Sequence, residues 1–270
     1  MAGGFLTAIA AVTNVLFLVG GMYVYLALVR QISVRTTPVL QEEERTFGLP
    51  EVFLGFGLSA LFLLNAAAAF SHGEKTTMRT NELIANGLIS IALLLFVAAF
   101  LKFRGFSVER LAGFVKLSVA RAIATGVVLL LAAYPLVILA DLVMQRALGS
   151  PSSRQNIVEI FNDSQTLEQR VLIIILAVAI APLVEEFVFR FFLYGVIKRY
   201  LGRFAGVIIS AALFAAVHGH IPSALPLFVL GSCLALAYEW SGSILVSMTM
   251  HAIFNSLTLV ALAFPDLIQP

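Results

Sequence analysis

The stretch VLIIILAVAIAPLVEEFVFRFFLYGVI, residues 171–197, is apolar and long enough to cross a membrane as a helix, yet it carries Glu185, Glu186 and Arg190. A charged side chain in hydrocarbon costs at least about 2.5–3.5 kcal/mol on insertion scales. Such groups are expected to pair with an opposite charge, to face a wet cavity, or to take part in chemistry. The stretch therefore predicts a membrane helix with a functional polar patch.

The composition of the whole chain also points to a membrane protein. Of its 270 residues, 60% are hydrophobic and only 12% are charged, whereas a soluble domain has about 25% charged residues. The lipid bilayer is therefore the expected surrounding, and a net charge of +2 gives no reason to expect a nucleic-acid partner. The single cysteine, Cys233, excludes an intramolecular disulfide and a multi-cysteine metal site.

Apolar runs of suitable length predict an all-α, polytopic membrane protein with about eight transmembrane helices. The predicted helices cover residues 5–29, 51–70, 83–101, 122–144, 171–197, 204–218, 223–240 and 243–264. The sixth and seventh are short and are separated only by residues 219–222, so they are either two spans or one re-entrant pair.

The polar groups that stand out within these helices all lie in the second half of the chain. We therefore divide the chain near residue 150. Residues 1–150 are predicted to hold about four plain transmembrane helices, and residues 151–270 are predicted to hold the functional core with about four more. In the polar connection that follows residue 150, residues 156–162 have apolar side chains at helical spacing, which is typical of a short helix on the membrane surface.

The two carboxylates of the fifth helix are expected to have different roles. Glu186 and Arg190 are four residues apart and share a face, which favours an ion pair. Glu185 is rotated by about 100° from its neighbour and faces a different part of the bundle. Pro182 removes a backbone donor just before the pair, which weakens the helix there.

Three further polar residues occur in apolar segments at comparable depth. Glu185 and His218 lie roughly 20–22 Å from the basic turn, residues 198–203, that joins their two helices. His251 and Asn255 are four residues apart and share one face of the last helix. We expect these four side chains to converge on one polar pocket within the membrane.

Their chemistry suits hydrolysis of an acyl bond. A carboxylate within hydrogen-bond reach of an imidazole can activate water as a general base. A second histidine with an asparagine can donate hydrogen bonds to the oxyanion that forms. Alternatively, Glu185, His218 and His251 could hold a metal, because one carboxylate with two imidazoles is a known catalytic zinc set. The residues leave both cases open: one divalent metal such as zinc, or none.

These residues resemble a known three-part pattern. The parts are Glu185-Glu186-x-x-x-Arg190, Phe214-x-x-x-His218 and His251-x-x-x-Asn255. In order and spacing they resemble the CPBP family, which groups CAAX prenyl proteases with bacteriocin-processing enzymes. The resemblance covers about residues 150–264 and implies an intramembrane endopeptidase acting on a peptide or protein, in some members a lipidated one.

The resemblance also implies roles for the site residues. Glu185 and His218 correspond to the water-activating pair, and His251 and Asn255 correspond to the oxyanion side. The family is often described as metalloproteases, but a metal-free glutamate mechanism is also proposed for it. The natural substrate is not implied.

Two other functions remain open on the sequence alone. A catalytically inactive scaffold or bacteriocin-immunity protein would bind a partner, and alanine at His251 or Asn255 would leave its phenotype unchanged. A proton-coupled transporter also needs intramembrane Glu and His, although the inverted repeats of many transporters are not visible here. The short loops and even helix number favour a multi-pass protein of a prokaryotic cytoplasmic membrane.

Overall fold

The computed structural model describes residues 2–35, 46–72, 79–114, 116–149, 161, 164 and 166–263. Helices make up nearly all of these residues, and no strand occurs among them. The predicted all-α class is therefore confirmed. The predicted boundary near residue 150 and the predicted surface helix, apart from Phe161, lie outside the described residues.

Eight long helices run through the described residues. They are α1 (Ala2–Val34), α2 (Leu49–His72), α3 (Thr80–Phe103), α4 (Val119–Leu148), α5 (Leu167–Leu201), α6 (Arg203–Val217), α7 (Ala224–Ser241) and α8 (Ile244–Ala263). A single helical turn at Val108–Leu111 precedes α4, and a 3₁₀ turn at Ile221–Ser223 precedes α7.

Within the described part of the chain, seven of these helices are long and apolar enough to cross a membrane. The exception is α6, whose 15 residues extend about 22 Å, less than the roughly 30 Å of hydrocarbon. The about eight predicted helices are thus present in the described residues as seven of spanning length and one shorter apolar helix, which is one of the two predicted to be short. The chain leaves α6 through Gly219, whose φ of +62° suits glycine, and Pro222 follows in the next turn.

The bundle has a buried centre formed by its later helices. The apolar window of α7 has 56% of its residues buried, whereas those of α1 and α3 have 17%. α4 packs against both α1 and α8. A Cβ atom at Gly126 of α4 would lie 2.8 Å from the Thr249 side chain of α8, so the absence of a side chain permits this close approach. The outer faces of α1 to α4 are rich in exposed Leu, Val and Phe, as expected for contact with lipid.

α5 is not a regular α-helix. It contains two π-helical segments, Leu176–Ile180 and Glu186–Leu193, on either side of a short α-helical turn that contains Pro182. The N–H of Ala181 donates to the carbonyl of Leu176, five residues earlier. Proline has no N–H and its ring crowds the preceding turn, so the wider π turn accommodates it. The predicted weakening of the helix at Pro182 is confirmed, and π segments are frequent at functional sites.

Candidate active site

One cavity of about 350 Å³ brings the four predicted residues together. Glu185 reaches it from α5, His218 from the end of α6, and His251 and Asn255 from α8. Most of its other lining residues are apolar. They include Leu83, Leu176, Ile180, Val184, Leu227, Leu230 and Phe254. The site is therefore a small polar group set in an apolar cavity.

Three fully buried side chains form what we call the Glu186 network. The Nε atom of Arg190 lies 3.3 Å from Oε2 of Glu186, which confirms the predicted ion pair. The Nδ1–H of His251 donates to the other carboxylate oxygen, Oε1, at 2.9 Å. Glu186 thus holds a cation with one oxygen and orients an imidazole with the other. Because His251 gives its Nδ1–H to Glu186, its Nε2 atom is left for the cavity.

Glu185 makes no hydrogen bond to this network and stays partly exposed, with 27% of its side-chain surface accessible. Its Oε2 atom lies 3.9 Å from Nε2 of His251 and 4.0 Å from Nε2 of His218. Among the described residues, no hydrogen-bond partner is found for this oxygen. The separations are too long for direct hydrogen bonds, but they allow one water to bridge the carboxylate and an imidazole.

His218 is oriented by its own helix. Its Nδ1–H donates to the carbonyl of Phe214, one turn earlier, at 2.7 Å. The Nε2 atom is thereby directed toward Glu185. His218 and His251 therefore present the same ring nitrogen to one carboxylate oxygen, and each is held there through its Nδ1–H.

The ring of Phe214 packs among the charged and ionisable groups. It lies edge-on to His218 and His251, with centroids 4.7 and 5.7 Å apart. The guanidinium carbon of Arg190 lies 4.1 Å from its centroid, a cation–π contact. Phe214 thus supports three site residues at once. In the sequence, its only signal is its place one helical turn before His218.

Asn255 makes a contact that its spacing from His251 does not predict. Its Nδ2 atom donates to the backbone carbonyl of Ala177 in the first π segment of α5, at 2.8 Å. An amide NH₂ group has two hydrogens, so one remains for a ligand in the cavity that Asn255 lines.

The α3 helix also contributes to the cavity, which sequence reasoning did not predict. Asn86 and Ser90 line its wall together with Gly87. Two polar residues four apart on an otherwise apolar helix are the one sequence signal that could have indicated this face.

The donor set does not have the spacing of a metal site. In the part of the chain that the structure describes, no three His, Cys, Asp or Glu side chains are grouped closely enough to hold a metal ion. Tetrahedral ligands at about 2.0–2.2 Å from zinc lie about 3.3 Å from one another. The Glu185 oxygen is 3.9–4.0 Å from the imidazole nitrogens. The mechanism proposed below therefore uses protein groups and water.

A second buried carboxylate lies outside the cavity, at the far end of α5. Both oxygens of Glu239 accept from Nζ of Lys198, at 2.6 and 2.9 Å, and Nε of Arg203 lies 3.3 Å from Oε1. The Arg203 guanidinium also donates to the carbonyls of Ile32 and Arg35 at the end of α1. We call Glu239, Lys198 and Arg203 the Glu239 cluster. Sequence analysis did not identify it.

Comparison with known families adds one finding. Residues 167–257 match the family model described as type II CAAX prenyl endopeptidase, Rce1-like. This segment, about a third of the chain, is similar to that family. The match confirms the family resemblance that the three motifs predict, and at the level of the family it indicates a CAAX-type intramembrane endopeptidase. The Rce1-like segment begins where α5 begins and includes all of the predicted site residues. Neither a curated protein nor a solved structure matches the chain.

Proposed function

We propose that this protein is an intramembrane endopeptidase in which Glu185 and His218 activate the water that hydrolyses a peptide bond. The observation that carries the proposal is the position of one Glu185 oxygen, 3.9–4.0 Å from two imidazole nitrogens in a largely apolar cavity. Both imidazoles are held in place through their other nitrogen. This arrangement suits a water held between a carboxylate and an imidazole.

In the first step, the water donates one proton to Glu185 and its oxygen attacks the carbonyl carbon of the scissile bond. His218 accepts a hydrogen bond from the same water at Nε2, which orients the attacking lone pair. The Glu185 side chain lines the cavity and is 27% exposed, while its Oε2 atom lies buried beside the two imidazoles.

The second step needs donors for the oxyanion and a proton for the leaving amine. The amide hydrogen of Asn255 that is not bonded to Ala177 is the first donor to the oxyanion. A His251 ring that carries both protons donates through Nε2, and the Glu186 carboxylate at Nδ1 then balances its charge. Glu185 returns the proton it took from water to the amine nitrogen as the C–N bond breaks. The products are a carboxylic acid and an amine, and no covalent enzyme intermediate forms.

The proposal assigns the chemistry to the second half of the chain, residues 151–270, and a supporting part to residues 1–150. Its substrate is a peptide segment at membrane depth, and a lipidated peptide fits an apolar cavity. The match to a CAAX-type family supports this substrate class. From the short loops alone, since seven helices are of spanning length, we further propose a prokaryotic cytoplasmic membrane as the location.

The test uses purified protein in proteoliposomes, incubated with a proteome-derived peptide library, with new termini identified by mass spectrometry. Wild-type protein is expected to generate new termini, and Glu185→Gln is expected to reduce the cleavage rate by about 10²–10⁴-fold. Glu168→Gln, at an exposed acid in the first turn of α5, is the matched control and should cleave as wild type does.

Two outcomes would contradict the proposal. Cleavage by Glu185→Gln at the wild-type rate would remove the proposed base. No cleavage by folded wild-type protein, combined with unchanged partner binding after His251→Ala, would favour a non-catalytic scaffold. Proton flux into empty liposomes would instead favour the transporter.

A further inference from the structure

The backbone carbonyl of Ala177 has lost both of the donors that a helix could offer it. In an α-helix it would accept from residue 181, and in a π-helix from residue 182. The N–H of Ala181 donates to the carbonyl of Leu176 instead, and residue 182 is a proline, which has no N–H. The irregular turn of α5 therefore leaves the Ala177 carbonyl in need of a donor.

Asn255 supplies that donor from a different helix. Ala177 is buried, and a carbonyl without a partner at membrane depth is strongly unfavourable. The Nδ2 atom of Asn255 lies 2.8 Å from this oxygen. This hydrogen bond therefore takes the place of the backbone hydrogen bond that the Ala177 carbonyl lacks because of Pro182.

The same helix makes a second contact with α5, one turn away. His251 precedes Asn255 by four residues and donates to Glu186 at 2.9 Å. On α5, the two contacts lie at residues 177 and 186, on either side of Glu185. Since higher numbers on α8 meet lower numbers on α5, the two helices are antiparallel. The pair of hydrogen bonds fixes the segment that carries Glu185 against the helix that carries His251.

We propose that Asn255 is a positioning residue: its hydrogen bond to the Ala177 carbonyl holds the Pro182 interruption of α5 in the shape that places Glu185 beside the two imidazoles. The catalytic consequence rests on the proposed function, but the structural connection between Asn255 and Pro182 does not. This role uses one amide hydrogen of Asn255 and leaves the other for the oxyanion.

A double-mutant cycle tests the connection directly. Pro182→Ala gives residue 182 an N–H, so the Ala177 carbonyl regains a backbone donor in either an α or a π turn. In the wild-type background, Asn255→Ala is expected to lower the Tm in detergent by about 5 °C. In the Pro182→Ala background, the same change should lower the Tm by less than half as much. Equal decreases in both backgrounds would overturn the proposal.

Ser256→Ala is the matched control, because the Ser256 hydroxyl donates to the Ala252 carbonyl within its own helix. Its effect on the Tm should be the same in both backgrounds. Hydrogen exchange gives a second readout that does not require the Pro182 variant to fold. Asn255→Ala should raise exchange of the amides between residues 178 and 187 by about tenfold, while α4 stays unchanged. Unchanged exchange in that segment would also overturn the proposal.

The change in kcat distinguishes this positioning role from a purely structural one. The loss of kcat caused by Asn255→Ala should be at least about threefold smaller in the Pro182→Ala background. An equal loss in both backgrounds would show that Asn255 acts on the oxyanion alone. The Tm and exchange measurements need no substrate. A lack of proteolysis would therefore contradict the proposed function, while the connection between Asn255 and Pro182 would still be tested by those two measurements.

Discussion

The Glu186 network and the Glu239 cluster both bury a carboxylate beside cations, but they differ in how completely their polar atoms are satisfied. Both oxygens of Glu239 accept from Lys198, and Arg203 completes the group. Around the Glu186 network, one oxygen each of Glu185 and Glu186 (Oε2) and both Nη atoms of Arg190 have no hydrogen-bond partner among the described residues. The Glu186 network adjoins the cavity, which its member His251 lines.

This difference in hydrogen-bond satisfaction distinguishes a structural charge cluster from a reactive one. A saturated cluster at the end of several helices fixes their relative positions and offers nothing to a ligand. A cluster with an unsatisfied carboxylate oxygen directed at two imidazoles has a position for water and for a reacting carbonyl. Three substitutions can break or sharpen this comparison.

The largest effect on stability is expected at Glu186. Glu186→Gln keeps the shape of the side chain but leaves the buried Arg190 guanidinium without a countercharge. Removing one member of a buried pair costs about 3–5 kcal/mol, which corresponds to a decrease in Tm of about 10 °C. Thermal unfolding in detergent measures it.

The control for that variant removes both charges. Glu186→Gln with Arg190→Met leaves no uncompensated buried charge and should recover at least half of the lost Tm. A double variant as unstable as the single one would show that the ion pair is not the cause.

Much of this arrangement could be predicted from the sequence, and the particular residues show why. Long apolar runs specify the membrane helices, and the spacing of four specifies the Glu186–Arg190 pair. Counting residues from a shared turn places Glu185 and His218 at similar depth, and the structure brings them into one cavity. These features depend on local spacing and on the length of the apolar segments.

Other features depend on tertiary contacts or on small shifts of the backbone. Hydropathy cannot distinguish α from π turns in a segment such as residues 171–184, where nearly every side chain is apolar, so the Asn255 contact with Ala177 was not predictable. Glu239 finds Lys198 only after α5 and α7 have packed together.

A smaller effect is expected in the Glu239 cluster. Glu239→Gln leaves Lys198 and Arg203 without their carboxylate, but these side chains are 14% and 19% exposed and can still reach water. We expect a loss of about 1–2 kcal/mol, seen as a decrease in Tm of about 3–5 °C. Cleavage by the folded protein at 25 °C should stay within about twofold of wild type, as measured on the best library peptide. A tenfold loss of activity at unchanged Tm would place this cluster in the active site.

The substitution at Phe214 is expected to affect catalysis more than stability. Phe214→Leu keeps the backbone carbonyl that holds His218 but removes the ring beneath Arg190 and both imidazoles. The cation–π contact contributes about 1 kcal/mol, and the imidazoles gain freedom to rotate. We expect kcat to fall about tenfold with KM nearly unchanged, determined from steady-state cleavage. Phe96→Leu, at a lipid-facing site that is 55% exposed, is the control, and equal effects in the two variants would refute the positioning role of the Phe214 ring.

The central claim concerns the water held by Glu185, and an experimental structure of the protein in lipid nanodiscs, at a resolution that shows ordered waters, tests it most directly. The account predicts a water within hydrogen-bond distance of both Glu185 Oε2 and His218 Nε2, with the carboxylate about 4 Å from each imidazole. A Glu185 side chain turned toward the lipid acyl chains, or separated from both imidazoles by more than a single water can bridge, would contradict it.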